Sequence, residues 1–130
     1  MENNVLKPNG VGIGRIIKAG KCSMKGFRAV YKYEASFRQE LLFAIVMFPT
    51  SFLVAIDLIQ LALLNGAMLI VLLVEIINSA LEAVVDRIGL ELHDLSGRAK
   101  DLGSAAVFIS LVLYFFIWIC VVYENFVAIG

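Results

Sequence analysis

The 130-residue chain is poor in the residues that build disulfide frameworks and zinc sites, because it has two cysteines and one histidine. Cys22 lies among lysines, whereas Cys120 lies almost a whole chain length away inside an apolar run. This spacing predicts neither a disulfide nor a metal framework. His93 has no sulfur or histidine companion and therefore cannot build a zinc site.

Charged residues are also missing from long stretches of the chain, which is 61% hydrophobic with a mean hydropathy of +0.89. Soluble domains are roughly 45 to 50% apolar, and a helix needs about 20 apolar residues to cross a bilayer core. Three apolar runs, 41–56, 58–74 and 102–123, approach or reach this length. The sequence therefore predicts an all-α membrane protein, a single domain over 1–130. We expect its spans at about 38–57, 60–86 and 101–123.

Lysine and arginine are absent from the connection around Asp57 and from the tail after Tyr123. Eight of the eleven basic residues precede the first span, and the other three lie between the second and third spans. By the positive-inside rule we expect a cytoplasmic N-terminus and second connection, with the C-terminus outside. No apolar segment with a cleavage site follows Met1, so we expect the spans themselves to direct insertion.

The basic residues before the first span alternate with apolar ones over about 14–33. This pattern predicts an amphipathic helix lying on the cytoplasmic leaflet, although Gly20 and Gly26 are unfavourable in a helix. A basic tail that only sets the orientation of the protein is the alternative.

Polar residues interrupt the second apolar segment at helical spacing. On a helix Glu75, Asn78, Glu82 and Asp86 fall within an arc of roughly 100°. Glu75 lies about 10 Å deeper along the axis than Glu82. A carboxylate near the bilayer centre costs about 2.5 kcal/mol or more, so this carboxylate stripe, formed by these four residues, should face protein or water. It needs a cation, a metal or a shared proton as a partner.

A purely structural role for the carboxylate stripe is possible, with Glu75 and Asn78 holding helices together and Glu82 and Asp86 pairing with arginines 87 and 98. A proton pathway or a small helical membrane adaptor would also fit the stripe alone. The mixed-charge connection over 87–101 favours a further function, because lysine and arginine beside carboxylates can hold a phosphate and its Mg²⁺. The residues together indicate a kinase acting on a lipid alcohol.

Two motifs then carry a family resemblance: V-E-I-I-N-S-A-L-E-A-V-V-D-R-I and H-D-L-S-G-R-A-K-D-L-G-S-A-A-V. They closely resemble the small bacterial membrane-embedded diacylglycerol kinases. The resemblance continues through R-I-I-K-A and Y-E-A-S-F-R-Q-E, so it covers about 15–107, with the third span similar in character only. The E-x-x-N-[ST]-A-x-E core followed by A-K-D is highly specific between spans of this arrangement.

The resemblance implies a homotrimer in the bacterial inner membrane, with active sites shared between subunits and no nucleic-acid partner. It implies transfer of the γ-phosphate of MgATP to diacylglycerol, giving phosphatidic acid. Glu75 would be the general base, Asn78 would orient it, and Glu34 and Glu82 would hold Mg²⁺. The implied ATP-binding residues are Arg15, Cys22, Glu34, Glu82, Glu91, His93, Lys100 and Asp101. The implied lipid-binding residues are Arg15, Arg28, Arg38, Glu75 and Ser104.

Some positions depart from the family pattern. Cys22 stands where an aromatic residue is expected against the nucleotide, and Met24 stands where a tryptophan is familiar. A related branch of the family phosphorylates undecaprenol, which is the alternative substrate. Ala83, Arg87 and the run S-G-R-A-K-D-L-G-S look more like the diacylglycerol branch. We therefore predict diacylglycerol as the substrate.

Overall fold

A computed structural model describes residues 10–128, and this part of the chain is helical almost throughout. The helices are α1 (Ile13–Tyr33), α2 (Ala35–Val54), α3 (Leu58–Ile88) and α4 (Asp94–Val122), followed by a π-helical turn, Tyr123–Val127. The described residues divide between Tyr33 and Glu34 into two compact units. One unit contains α1, and the other contains α2, α3, α4 and the π-helical turn.

Three of the helices are long and apolar enough to cross a membrane: Ala35–Val54, Leu58–Ile88 and Asp94–Val127. The prediction of an all-α chain with three such helices is confirmed, whereas its single domain stays a prediction. At 1.5 Å per residue the 31 residues of α3 extend about 46 Å, which exceeds the roughly 30 Å of a hydrocarbon core. One polar end of α3 can therefore lie in the headgroup region or in water.

Side-chain caps define where two of these helices begin. The Asp57 side chain accepts a hydrogen bond from the backbone N–H of Gln60 at 2.8 Å, which caps α3. His93 Nδ1 accepts one from the backbone N–H of Leu95 at 3.1 Å, which caps α4. Such caps satisfy backbone donors that a first helical turn leaves unpaired. The short polar connections therefore fix the ends of α3 and α4.

The small core lies where α3 packs against α4, with α2 packed on α3. Its buried side chains are Ala67, Met68 and Val71 from α3 and Tyr114 from α4. Gly103 and Ser110 are buried on the same helix as Tyr114, as expected where small residues let membrane helices approach closely. Most large apolar side chains of this unit instead face outward, for example Leu53 with 83% exposure. Such a surface suits lipid or another membrane helix as its neighbour.

A polar cluster joins the start of α3 to the π-helical turn, at the opposite end of α3 from Asp86. The Gln60 side-chain amide donates to Asn125 Oδ1 at 3.0 Å and to Glu124 Oε2 at 3.3 Å. Asn125 Nδ2 donates to Gln60 Oε1 and to the Val54 carbonyl, both at 2.8 Å. These bonds tie the ends of α2, α3 and the π-helical turn together.

We expect Asn125→Ala to lower the free energy of unfolding by about 1 kcal/mol, because it removes these bonds while Gln60 keeps Glu124 as a partner. Unfolding in detergent, followed by circular dichroism, measures the change. Thr50→Val is the control, because the Thr50 hydroxyl donates to the Val46 carbonyl, so this substitution removes a hydrogen bond within one helix. Equal stability of the Asn125→Ala variant and the control would contradict a stabilising role for the cluster.

Candidate active site

The carboxylate stripe lies along α3, and its side chains become more exposed toward the end of the helix. Glu75 is 4% exposed, Asn78 and Glu82 are half-buried, and Asp86 is exposed. The stripe therefore runs from the interior of the helical unit to its surface. A base at the buried end and a ligand for a hydrated cation at the open end would fit this gradient.

Further carboxylates from α2 and its start converge on Glu75. Glu34 and Glu40 interact electrostatically with Glu75, as does Glu82 of the carboxylate stripe itself. Glu34 is the residue that precedes α2, and its side chain makes no capping bond to that helix. Four acids therefore share one region of the second unit, and their mutual repulsion favours binding of a cation there.

Glu40 is a member of this acidic group that sequence reasoning missed. Its Oε2 is buried without a hydrogen-bond partner in the described residues. It also lines an apolar cavity of about 310 Å³ between α2, α3 and α4, together with Phe43, Val71 and Tyr114 among others. The signal was present in the sequence, because Glu40 is the one acid within the predicted first span before Asp57.

Asn78 connects the two halves of the carboxylate stripe. Its Nδ2 donates to Glu82 Oε1 at 3.4 Å, and its Oδ1 is buried against Gly103 of α4. The bond seen here is to Glu82, so the orientation of Glu75 by Asn78 stays a prediction. The hydroxyl of Ser79, on the same face of α3, donates a hydrogen bond to the backbone carbonyl of Glu75 at 2.9 Å.

At its open end the stripe contacts α4. Lys100 Nζ lies 2.8 Å from Asp86 Oδ1, and both side chains are about half exposed. Asp86 therefore pairs with Lys100. The purely structural interpretation of the sequence paired it with Arg87 or Arg98 and is wrong on this point. Asp101 and Ser104 follow on α4, where both are exposed.

A second cavity, of about 170 Å³, lies at the connection between α3 and α4. Glu91, His93 and Lys100 line it, so three residues of the expected nucleotide site share one depression. His93 also caps α4 through Nδ1, a role that the sequence analysis did not include. The cavity is smaller than the roughly 300 to 1,000 Å³ typical of ligand pockets, so a nucleotide would need further surface.

The remaining expected site residues lie elsewhere. Arg15, Cys22 and Arg28 are exposed on α1, in the first unit. Arg38 is half-buried on α2. The second unit therefore contains all of the expected site residues except these three from α1.

The coordination shell of a divalent cation bound here would have to include oxygen atoms of the substrate as well as protein ligands. Within residues 10–128 no group of three or more His, Cys, Asp or Glu side chains could hold a metal ion. Mg²⁺ is commonly bound through one or two carboxylates together with phosphate oxygens and water. Glu34 and Glu82, which both interact with Glu75, fit that pattern.

Comparison with known proteins gives a consistent result. Residues 21–122 match the family described as prokaryotic diacylglycerol kinase. A diacylglycerol kinase of Escherichia coli (strain K12) is 46% identical over 118 residues, which are 91% of this chain and 97% of that protein. One from Pseudomonas aeruginosa is 44% identical over 82% of this chain and 87% of that protein. One from Haemophilus influenzae is 42% identical over 82% of this chain and 91% of that protein.

Three span-capable helices and these bacterial relatives agree on a bacterial membrane protein. The family match covers most of the chain, and the relatives are matched over most of their own length. The chain belongs to the prokaryotic diacylglycerol kinase family.

Proposed function

We propose that the protein transfers the γ-phosphate of MgATP to the free hydroxyl of diacylglycerol, giving phosphatidic acid. The observation that carries this proposal is Glu75, a buried carboxylate on an apolar helix at the inner end of a stripe that opens to the surface. The relatives named above are diacylglycerol kinases, which supports the same reaction. The lipid would approach the stripe at its buried end, and ATP would enter from its open end with the γ-phosphate directed toward Glu75.

Glu75 is the proposed general base. A lipid hydroxyl that enters from the membrane can approach Glu75, and the carboxylate then accepts its proton as the oxygen attacks the γ-phosphorus of ATP. The bond between that phosphorus and the oxygen bridging to the β-phosphate breaks, and ADP leaves. Glu40, which interacts electrostatically with Glu75, lines an apolar cavity, and this cavity offers a surface for the apolar part of a lipid. Ser104, Arg15, Arg28 and Arg38 are the further lipid contacts that we propose.

Glu34 and Glu82 are the proposed ligands for Mg²⁺. When bound, the cation would neutralise charge on the phosphates of ATP. Asn78 holds one oxygen of Glu82 through its amide, which leaves the other oxygen for the cation. The proposed nucleotide contacts are Arg15, Cys22, Glu91, His93, Lys100 and Asp101.

Two substitutions distinguish a role of Lys100 in phosphate binding from a role in structure. If Lys100 binds phosphate, Lys100→Met should raise the KM for MgATP by about tenfold, because a charge-assisted hydrogen bond is lost. Asp86→Asn breaks the same ion pair, which is half exposed and contributes little, and should change this KM far less. Steady-state kinetics in mixed micelles measures both variants. An equal effect of the two substitutions would show that only the ion pair matters.

We also propose a homotrimer with shared active sites. The nucleotide cavity of one chain is too small for ATP alone, and the apolar side chains that face outward can pack against other copies. We further propose that α1 lies as an amphipathic helix on the cytoplasmic leaflet of the inner membrane. The N-terminus and the active site would then be cytoplasmic, and the C-terminus would lie outside.

The kinase proposal is tested by ATP consumption in mixed micelles with Mg²⁺. We expect consumption to require added diacylglycerol, since the lipid hydroxyl is the phosphate acceptor. A helical membrane adaptor would consume no ATP under any condition. A proton pathway would instead show ion flux in sealed vesicles, and flux without lipid-dependent ATP consumption would contradict the proposal.

A further inference from the structure

Gly103 of α4 differs from the other glycines of residues 10–128 in what surrounds it. A Cβ built on Gly103 would overlap Asn78 Oδ1 and would lie 3.2 Å from Asn78 Cγ. The three nearest atoms all belong to that one side chain. At the other described glycines, apart from the adjoining residues and the backbone of the same helix, no atom lies closer than 3.8 Å to such a Cβ. The side chain of Asn78 therefore occupies the space that a Cβ at position 103 would fill.

This space determines which way the Asn78 amide faces. The Cα hydrogen of Gly103 that takes the place of a Cβ points at Oδ1, as in the weak Cα–H···O contacts that recur between packed helices. Oδ1 is buried, and among residues 10–128 it has no hydrogen-bond partner. With the oxygen held against α4, the amide nitrogen is left to donate to Glu82 Oε1 at 3.4 Å.

A second contact between the same helices lies on the other side of Glu82. Asn78, Glu82 and Asp86 follow one another at intervals of four residues on α3, so they share a face. On α4, Lys100 and Gly103 are three residues apart and also share a face. Asn78 contacts Gly103, and Asp86 contacts Lys100, as antiparallel helices require. Glu82 therefore lies between two contacts that α4 makes with α3.

We infer that Gly103 is a positioning residue: the space it leaves on α4 sets the conformation of Asn78 and, through it, the orientation of the Glu82 carboxylate. This inference rests on the proposed function in so far as Glu82 binds the cation. Its consequence is that α4, which also carries Lys100, Asp101 and Ser104, is coupled mechanically to the metal-binding carboxylate. A methyl group at this position would move Asn78 away from Glu82.

The test compares Gly103→Ala with Gly66→Ala, because a Cβ at Gly66 meets no atom within 4 Å. Binding of Mn²⁺ with a non-hydrolysable ATP analogue is followed by electron paramagnetic resonance. We expect Gly103→Ala to weaken binding about 10- to 100-fold, as loss of a group that orients a metal ligand does, and Gly66→Ala to leave it unchanged. Equal affinities of the two variants would overturn the inference.

A double-mutant cycle separates positioning from a general effect on packing. In an Asn78→Ala background the overlap no longer exists, so Gly103→Ala should cause no further loss of affinity. Losses that simply add would overturn the inference. If Gly103→Ala alone fails to fold in detergent, the double variant should fold again, and its failure to do so would count against the inference equally.

The side-chain amide signal of Asn78 in ¹⁵N nuclear magnetic resonance provides a reading without metal or nucleotide. It is assigned by its loss in Asn78→Ala, and it should shift in Gly103→Ala but not in Gly66→Ala. If wild-type protein binds no Mn²⁺ with the analogue, the proposed metal site is wrong, and the amide signal still decides the role of Gly103. An unshifted signal would overturn it.

Discussion

Glu75→Gln should lower the turnover number for diacylglycerol phosphorylation by about 10²- to 10⁴-fold, the usual contribution of a general base. Glutamine keeps the size of the side chain and its capacity for hydrogen bonds, but it cannot accept the hydroxyl proton. Turnover is measured in mixed micelles with saturating MgATP and diacylglycerol. The KM for MgATP should change little, because Glu75 acts on the lipid hydroxyl.

The same substitution should not destabilise the fold. Glu75 is buried and interacts unfavourably with Glu34, Glu40 and Glu82, so a neutral side chain removes repulsion in a region of low dielectric. We expect an unchanged or raised unfolding temperature. Glu124→Gln, at the opposite end of the helical bundle, is the matched control and should retain full activity. Near-normal turnover of Glu75→Gln would remove it from the role of base.

Glu82→Gln and Glu34→Gln should each lower kcat/KM for MgATP by about 10- to 100-fold, because a neutral amide is a weaker ligand for Mg²⁺ than a carboxylate. The loss should appear mainly as a higher Mg²⁺ concentration for half-maximal activity. Titration of Mg²⁺ at fixed ATP measures it. Excess Mg²⁺ should restore part of the activity, since the remaining carboxylate and the phosphates still bind the cation.

Two comparisons make this second prediction specific. Glu91→Gln removes an exposed carboxylate near the nucleotide cavity but not near Glu75, so its Mg²⁺ dependence should be close to that of the wild type. Asn78→Ala should weaken metal binding through Glu82, because the amide then no longer holds that carboxylate. If Glu34→Gln and Glu82→Gln leave the Mg²⁺ requirement unchanged, neither residue binds the metal.

The main features of the fold could be predicted from the pattern of apolar residues. Long runs without charge can be satisfied in a membrane only as helices, so the three helices follow from physical chemistry and little else. The carboxylate stripe also follows from helical periodicity, because residues four apart share a face wherever α3 packs. Its gradient of exposure from Glu75 to Asp86 agrees with that periodicity.

Contacts between helices could not be predicted in the same way. Which side of α4 meets α3 depends on packing of small residues, so the pairs Asp86 with Lys100 and Asn78 with Gly103 were not foreseen. The cap formed by His93 depends on backbone angles that a sequence pattern does not specify. Glu40 lies on α2, so the helical spacing of the acids on α3 could not show that it joins them.

The most direct test of the central claim is transfer of label from [γ-³²P]ATP by purified protein that is offered diacylglycerol and undecaprenol side by side with Mg²⁺. The proposed function predicts that labelled phosphatidic acid is the main product and that Glu75→Gln protein forms almost none of it. Label that appears mainly in undecaprenyl phosphate, or phosphatidic acid formed equally by both proteins, would contradict the account.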